Sequence, residues 1–88
     1  MWYTVRMNSE QWYALGIIMS GHSYYMDKGK YPVLRVRRNN YELTHACHIA
    51  FGGRHYYPFS DAPQPCTWVL RGDGLKALIA MLPRGMHL

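Results

Sequence analysis

Acidic residues are scarce in this sequence: five Asp and Glu stand against ten Lys and Arg, a formal charge of +5 over 88 residues. That balance argues against acidic mimicry of DNA and leaves two readings open, attraction to polyanions such as nucleic acid and plain solubility. Cysteine is also rare. Cys47 and Cys66 sit in apolar stretches where a free thiol behaves as a small hydrophobe, and the expected setting is a reducing compartment. No apolar run approaches the ~18 residues of a membrane span. The first such run, residues 12–19, begins after Glu10 and is interrupted by Gly16, so it reads neither as a span nor as a signal peptide, and the expected location is cytoplasmic. Length excludes a second core, so a single domain over residues 1–88 is expected.

What the chain does have is apolar and aromatic surface: 49% hydrophobic residues, with eight tyrosines and three tryptophans. Such a composition excludes long disorder and leaves ring surface for a partner, a second copy of the chain included.

Residues 1–7 alternate as a short strand or ordered arm, with Tyr3, Val5 and Met7 on one side. Asn8, Ser9 and Glu10 form a helix start, after which Trp12, Leu15, Ile18 and Met19 recur at helical spacing up to Gly21. Residues 23–28 and 31–38 read as a hairpin turned at Gly29. Asn39 and Asn40 cap a second helix carrying Leu43, Ala46, Cys47 and Ala50, which Gly52 and Gly53 end. A second hairpin, 54–59 with 66–71, is joined by a linker over 60–65 that holds two prolines and is expected to be mobile. Gly72, Asp73 and Gly74 open a third helix over 75–82, stopped by Pro83. Gly21-His-Ser-Tyr-Tyr25 after the first helix echoes Gly53-Arg-His-Tyr-Tyr57 after the second. The echo points to a duplicated helix-plus-hairpin unit and an α+β fold of order αββαββα, with a four-stranded antiparallel sheet and helices on one face.

The same order carries a resemblance. Ala14-Leu-Gly-Ile-Ile-Met-Ser-Gly-His-Ser-Tyr24 resembles the signature helix of the LAGLIDADG homing-endonuclease family. The Tyr-Pro-Val-Leu-Arg-Val run, Phe51-Gly-Gly-Arg, Trp68-Val-Leu-Arg-Gly and Leu75-Lys-Ala-Leu resemble its later landmarks, so the likeness covers most of the chain as one module. Gly16 and Ser20 fall in the family's small-residue slots, where two signature helices pack closely. The resemblance thus implies a homodimer with Ala14, Gly16, Ile17 and Ser20 at the interface, while a small-residue stripe inside one subunit is the plain alternative. One departure is chemical. The family's metal-binding acid aligns with Gly21 and its earlier acidic position with Met19, so no carboxylate stands there to hold a divalent ion for phosphodiester hydrolysis. His22, next in sequence, reads as a cap or surface residue before it reads as a substitute ligand. The expectation is no enzyme, no metal and no cofactor.

Other groups carry less. His45, Cys47, His48 and His55 invite a zinc reading, but Cys47 and His48 lie about 100° apart on a helix and lack the paired spacing of zinc ligands. Nothing marks Cys66 as a nucleophile. The hairpins say more: alternation puts Tyr24, Met26, Leu34, Val36, Trp68 and Leu70 on a core side. Ser23, Tyr25, Arg35, Arg37, Arg54, Tyr56 and Arg71 then take the opposite side, with Lys28 and Lys30 at a hairpin tip. Arginines between aromatic rings suit phosphate contacts and base stacking, although any antiparallel sheet has one polar face. The expected function is a catalytically inactive, LAGLIDADG-like nucleic-acid-binding protein, DNA before RNA, such as a phage-type regulator. The alternatives are a small modulator docked on a host nucleic-acid enzyme, a nucleotide-sequestering dimer, and an endonuclease with relocated metal ligands.

Overall fold

The computed structural model describes residues 6–58 and 65–88. The arm expected over residues 1–7 and the linker expected over 60–65 lie almost wholly outside them, as does Phe59 of the expected second hairpin.

Helix α1 is Ser9–Met19, started by a reciprocal capping box in which the Asn8 side chain accepts from the Gln11 N–H (2.8 Å) and the Gln11 side chain accepts from the Asn8 N–H (3.0 Å). Helix α2 is Tyr41–Phe51, capped by Asn40, whose side chain accepts from the Glu42 N–H (2.9 Å). It stops at Gly52 and Gly53, both at positive φ. Helix α3, Gly72–Met81, follows the last strand with no residue between.

Strands β1 (Ser23–Asp27) and β2 (Tyr31–Arg38) form the first hairpin, β3 (Arg54–Tyr56) and β4 (Cys66–Arg71) the second. The first turn is closed by the Lys30 N–H on the Asp27 carbonyl (3.1 Å), with Lys28 and Gly29 at positive φ. The strands lie in the order β1-β2-β4-β3, every pair antiparallel. The fold is therefore α+β of order αββαββα, as expected. β3 is shorter than the sequence suggests, three residues ending at Tyr56; Pro58, which has no N–H for the ladder, stands just beyond it.

The core lies between one face of the sheet and the helices: Leu34, Val36, Trp68 and Leu70 from β2 and β4 meet Ala14, Ile17, Ile18, Cys47, Leu75 and Leu78. The Trp68 Nε1–H, buried with its ring, donates to the Gly52 carbonyl (2.7 Å) at the end of α2. Two expected core residues are corrected. Tyr24 and Met26 have the inward parity but stay 38% and 52% exposed, because they sit on edge strand β1, away from the packed centre formed by β2 and β4.

Strand register makes the internal duplication concrete. A two-fold axis drawn through the Arg35–Val69 pair exchanges β2 with β4 and carries the pair Val33–Arg71 onto Thr67–Arg37. Ser23 opposite Arg35 then corresponds to Arg54 opposite Val69. The sequence echo, which sets Gly21 against Gly53, would instead match Ser23 with His55. The structural equivalence is shifted by one residue, and in a pleated strand one residue exchanges the two faces.

Candidate nucleic-acid interface

Because side chains alternate along a strand, the register assigns the face of the sheet turned away from the helices residue by residue; Val33 on it is fully buried, so the face is open around that position and not at it. Ser23, Arg35, Val69 and Arg54 form one row across all four strands; Tyr25, Val33 and Arg71 form the next row on one side, Arg37, Thr67 and Tyr56 the next on the other. The seven residues expected on the outward side therefore share it. Four strands at about 4.8 Å spacing put Ser23 and Arg54 about 14 Å apart, a width that spans several phosphates of a strand. Lys28 and Lys30 lie in the β1–β2 turn, at the far end of the hairpin from Arg37; Lys30 Nζ stands 5.2 Å from the Tyr31 ring centre.

The cations on this face are not equivalent. Arg71 Nη1 donates to Asp27 Oδ2 at 3.0 Å, so its charge has an acidic partner, with both side chains partly exposed. Arg35 lies over the Tyr25 ring at 5.6 Å from its centre, and its Nε is buried with no hydrogen-bond partner. Arg37 and Arg54 are exposed. A cleft of about 470 Å³ opens on the β3–β4 side, lined by Gly53, Arg54, Tyr56, Val69 and Arg71. A smaller concavity of about 190 Å³ is lined by Gly21, His22, Ser23, Arg35, Arg37 and Arg38.

Arg38 is absent from the expected site residues. It has the parity of Leu34 and Val36, which puts a guanidinium on the helix side of the sheet. There it reaches the end of α1, where Nη2 donates to the carbonyls of Ile17 (2.8 Å) and Gly21 (2.7 Å) and to Ser20 Oγ (3.1 Å), and Nη1 donates to the Arg37 carbonyl (2.7 Å). The last turn of α1 carries no basic residue of its own, so Arg38 satisfies its open carbonyls and complements the negative end of the helix. A Cβ built at Gly21 would stand 3.4 Å from Arg38 Nη2. The position where the resemblance calls for a metal-binding carboxylate thus has a guanidinium beside it, and a cation next to the site disfavours a second one. His22 Nδ1 lies 3.0 Å from the Ile18 carbonyl, a helix-end bond.

Of the residues expected at a dimer interface, Ala14 and Ile17 are buried in the chain's own core, so they are not available on the surface. Gly16 and Ser20 are exposed, and a Cβ on Gly16 would meet nothing within 4 Å. Trp12, Tyr13 and Met19 are exposed on the same helix, at 51%, 61% and 37%.

The histidines converge in a way their spacing hides. His45 and His48 of α2 face His55 of β3, with ring centres 5.9 to 6.4 Å apart, and Tyr41 and Tyr57 pack against His55. Thr44 Oγ1, buried, donates to the Tyr41 carbonyl, so it accepts from His55 Nε2 at 2.6 Å. Burial, then the neighbouring His45 and His48, hold the His55 pKa below its ordinary value. Cys47 lies in the core instead, its thiol pushed up to about 12 by burial, which suits packing and not nucleophilic chemistry. Among the described residues no group of three or more His, Cys, Asp or Glu is arranged to hold a metal ion, and no helix is long and apolar enough to cross a membrane. No family model, no curated protein and no solved structure matches this chain.

Proposed function

We propose that this chain binds nucleic acid through the open face of its sheet and does not cleave it. The observation that carries the reading is the row Ser23, Arg35, Val69, Arg54, flanked by Arg37, Tyr25 and Tyr56, on a face where the acid Asp27 is paired with Arg71. Arg35, Arg37 and Arg54 then serve as phosphate contacts, Tyr25 and Tyr56 as stacking surfaces, and Lys28 and Lys30 as a distal extension. Such contacts grip the backbone whatever the sequence, and DNA is the favoured ligand over RNA. The lack of an acid at Gly21 and the Arg38 guanidinium beside it speak against metal-dependent hydrolysis of the bound strand.

The same reading treats the chain as a LAGLIDADG-like module acting in the cytoplasm, as a regulator of phage type, and as a homodimer. Its support for pairing is the exposed surface of Trp12, Tyr13, Gly16 and Met19 on α1. Those rings also favour a second reading, in which α1 docks on a nucleic-acid-processing host protein and the sheet lies near that protein's substrate. Fluorescence anisotropy with labelled duplex DNA, single-stranded DNA and RNA, repeated at several salt concentrations, tests the first reading. The expected result is binding that weakens steeply with salt and is lost when Arg35 and Arg37 are both changed to Ala. Equal binding by that double variant removes the sheet face as the site.

A further inference from the structure

The concavity at the end of α1 concentrates positive charge without an acid to offset it. Its 190 Å³ are lined by Arg35, Arg37, Arg38, His22, Ser23 and Gly21, and no acidic residue is among them. The one ion pair found among the described residues is Arg71 with Asp27, so Arg35, Arg37 and Arg38 share their enclosure without a counter-charge. Carbonyl contacts orient the Arg38 guanidinium without cancelling its charge.

Two of the lining side chains, Arg38 and His22, are also held in place. Arg38 is held by three hydrogen bonds at the helix end and by a fourth to the Arg37 carbonyl of its own strand. His22 faces the Ile18 carbonyl through Nδ1, and since a carbonyl only accepts, the proton sits on Nδ1 and Nε2 is the nitrogen left for another partner. We infer that this concavity is a seat for a single phosphate group, bound by Arg35 and Arg37 over the fixed charge of Arg38, with Ser23 and His22 at its rim. Phosphate fits better than carboxylate because it offers more non-bridging oxygens to several separate donors and, as a monoester, up to two charges. The proposal deepens the nucleic-acid reading and rests on it for the source of the phosphate, a strand terminus or a backbone diester; the seat itself is testable without a polymer.

Glycine 21 provides the sharpest variant. Its φ lies outside the left-handed region, and a side chain added there extends from a Cβ 3.4 Å from Arg38 Nη2, so Gly21→Asp places a carboxylate against the guanidinium with room to fold. Backbone-amide NMR of the whole chain, titrated with inorganic phosphate, reads the seat directly. Saturable shifts are expected at Gly21, His22 and Ser23. Affinity is expected to fall roughly tenfold in Gly21→Asp, and similarly in Arg37→Gln, which leaves the helix-end contacts of Arg38's side chain in place. Lys76→Gln, exposed on α3 and outside the sheet face, is expected to bind phosphate as the parent does. No shift at residues 21–23, or unchanged affinity in both Gly21→Asp and Arg37→Gln, overturns the seat.

Two oligonucleotides identical but for a 5′-phosphate separate the sources. Tighter binding of the phosphorylated strand, lost in Gly21→Asp, places a terminal monoester in the seat. Equal binding of both strands, lowered alike by Gly21→Asp, places a backbone diester there, and binding that Gly21→Asp leaves untouched contradicts the proposal. Phosphate saturating residues 21–23 in a protein that binds no oligonucleotide supports the seat and removes the polymer reading. Oligonucleotide binding without any phosphate response at those residues does the reverse.

Discussion

The two halves of the molecule solve one problem, ending a helix above the sheet, in different ways, and the difference sets the charge of each half. In the second half α2 ends on two positive-φ glycines, and the exposed carbonyl of Gly52 is taken by the Trp68 indole, a neutral donor. In the first half α1 ends at Ser20 in ordinary helical geometry, and its carbonyls are taken by Arg38, a full charge. About the axis through Arg35 and Val69, Ser23, Arg35 and Arg37 correspond to Arg54, Val69 and Arg71, with His22 and Gly53 just before the paired strands. The first set, with Arg38, lines a small concavity of three unpaired arginines; the second lines a wider cleft where one of two arginines is paired to Asp27. The proposed phosphate seat thus lies in the half whose arginines have no acidic partner, and the wider cleft in the half where Arg71 has one.

Breaking each helix end separates the two solutions. Gly53→Ala is expected to be the most damaging change, because φ is +87° and the added Cβ would stand 2.5 Å from the Val69 carbonyl oxygen, a backbone atom that cannot turn aside. A loss of about 3 kcal/mol in urea unfolding is expected, of the order seen when strain and clash combine, whereas Gly21→Ala should stay within about 1 kcal/mol. Arg38→Met comes next: it keeps most of the side-chain stem but strips the donors from the α1 carbonyls, and a loss of about 2 kcal/mol is expected, with Trp68→Phe costing about 1–2 kcal/mol at the equivalent end.

The binding comparison follows. Each phosphate contact on duplex DNA contributes about 0.9 to the slope of log affinity against log salt, so Arg35→Ala with Arg37→Ala should flatten that slope by about 1.8. Arg71→Ala should change it less, since Asp27 already neutralises Arg71. Lys28 and Lys30, at the far turn, should contribute least of the basic residues on this face.

A pH effect distinguishes the halves in stability. His55 belongs to the second half, and its folded pKa is depressed, first by burial and then by His45 and His48. Tyr41, Thr44, His45 and His48 face it from α2, Tyr57 from just beyond its own strand, and Trp68 is its partner on β4. The unfolded chain therefore takes the proton first. The stability tied to neutral His55 is fully present above its ordinary pKa of 6.5 and declines as pH falls through that value toward the lower folded one. Urea midpoints at pH 7.5 and pH 5 should show a decline that His55→Gln makes smaller; a midpoint that rises on acidification contradicts the assignment.

Much of this was legible in the chain. Asn8, Ser9 and Glu10, and Asn39 with Asn40, announce the starts of α1 and α2, and the alternation of Leu34 and Val36 with Arg35 and Arg37 divides the faces of β2. The register was not legible, because pairing across β2 and β4 is fixed by packing and not by local pattern. The echo between residues 21–25 and 53–57 consequently misplaces the equivalence by one residue. The Arg71–Asp27 pair spans 44 positions, and the histidine trio depends on α2 lying over β3. Arg38 left a usable trace, a charge at a core-parity position, which requires a partner on the helix side.

Amide shift mapping with a short DNA duplex tests the central claim most directly. The account predicts perturbations concentrated at residues 21–25, 33–37 and 54–56, on the open face and at its first-half rim, with Trp12, Tyr13 and Met19 unchanged by the duplex. Shifts confined to the outer face of α1, or none at all at low salt, would contradict it.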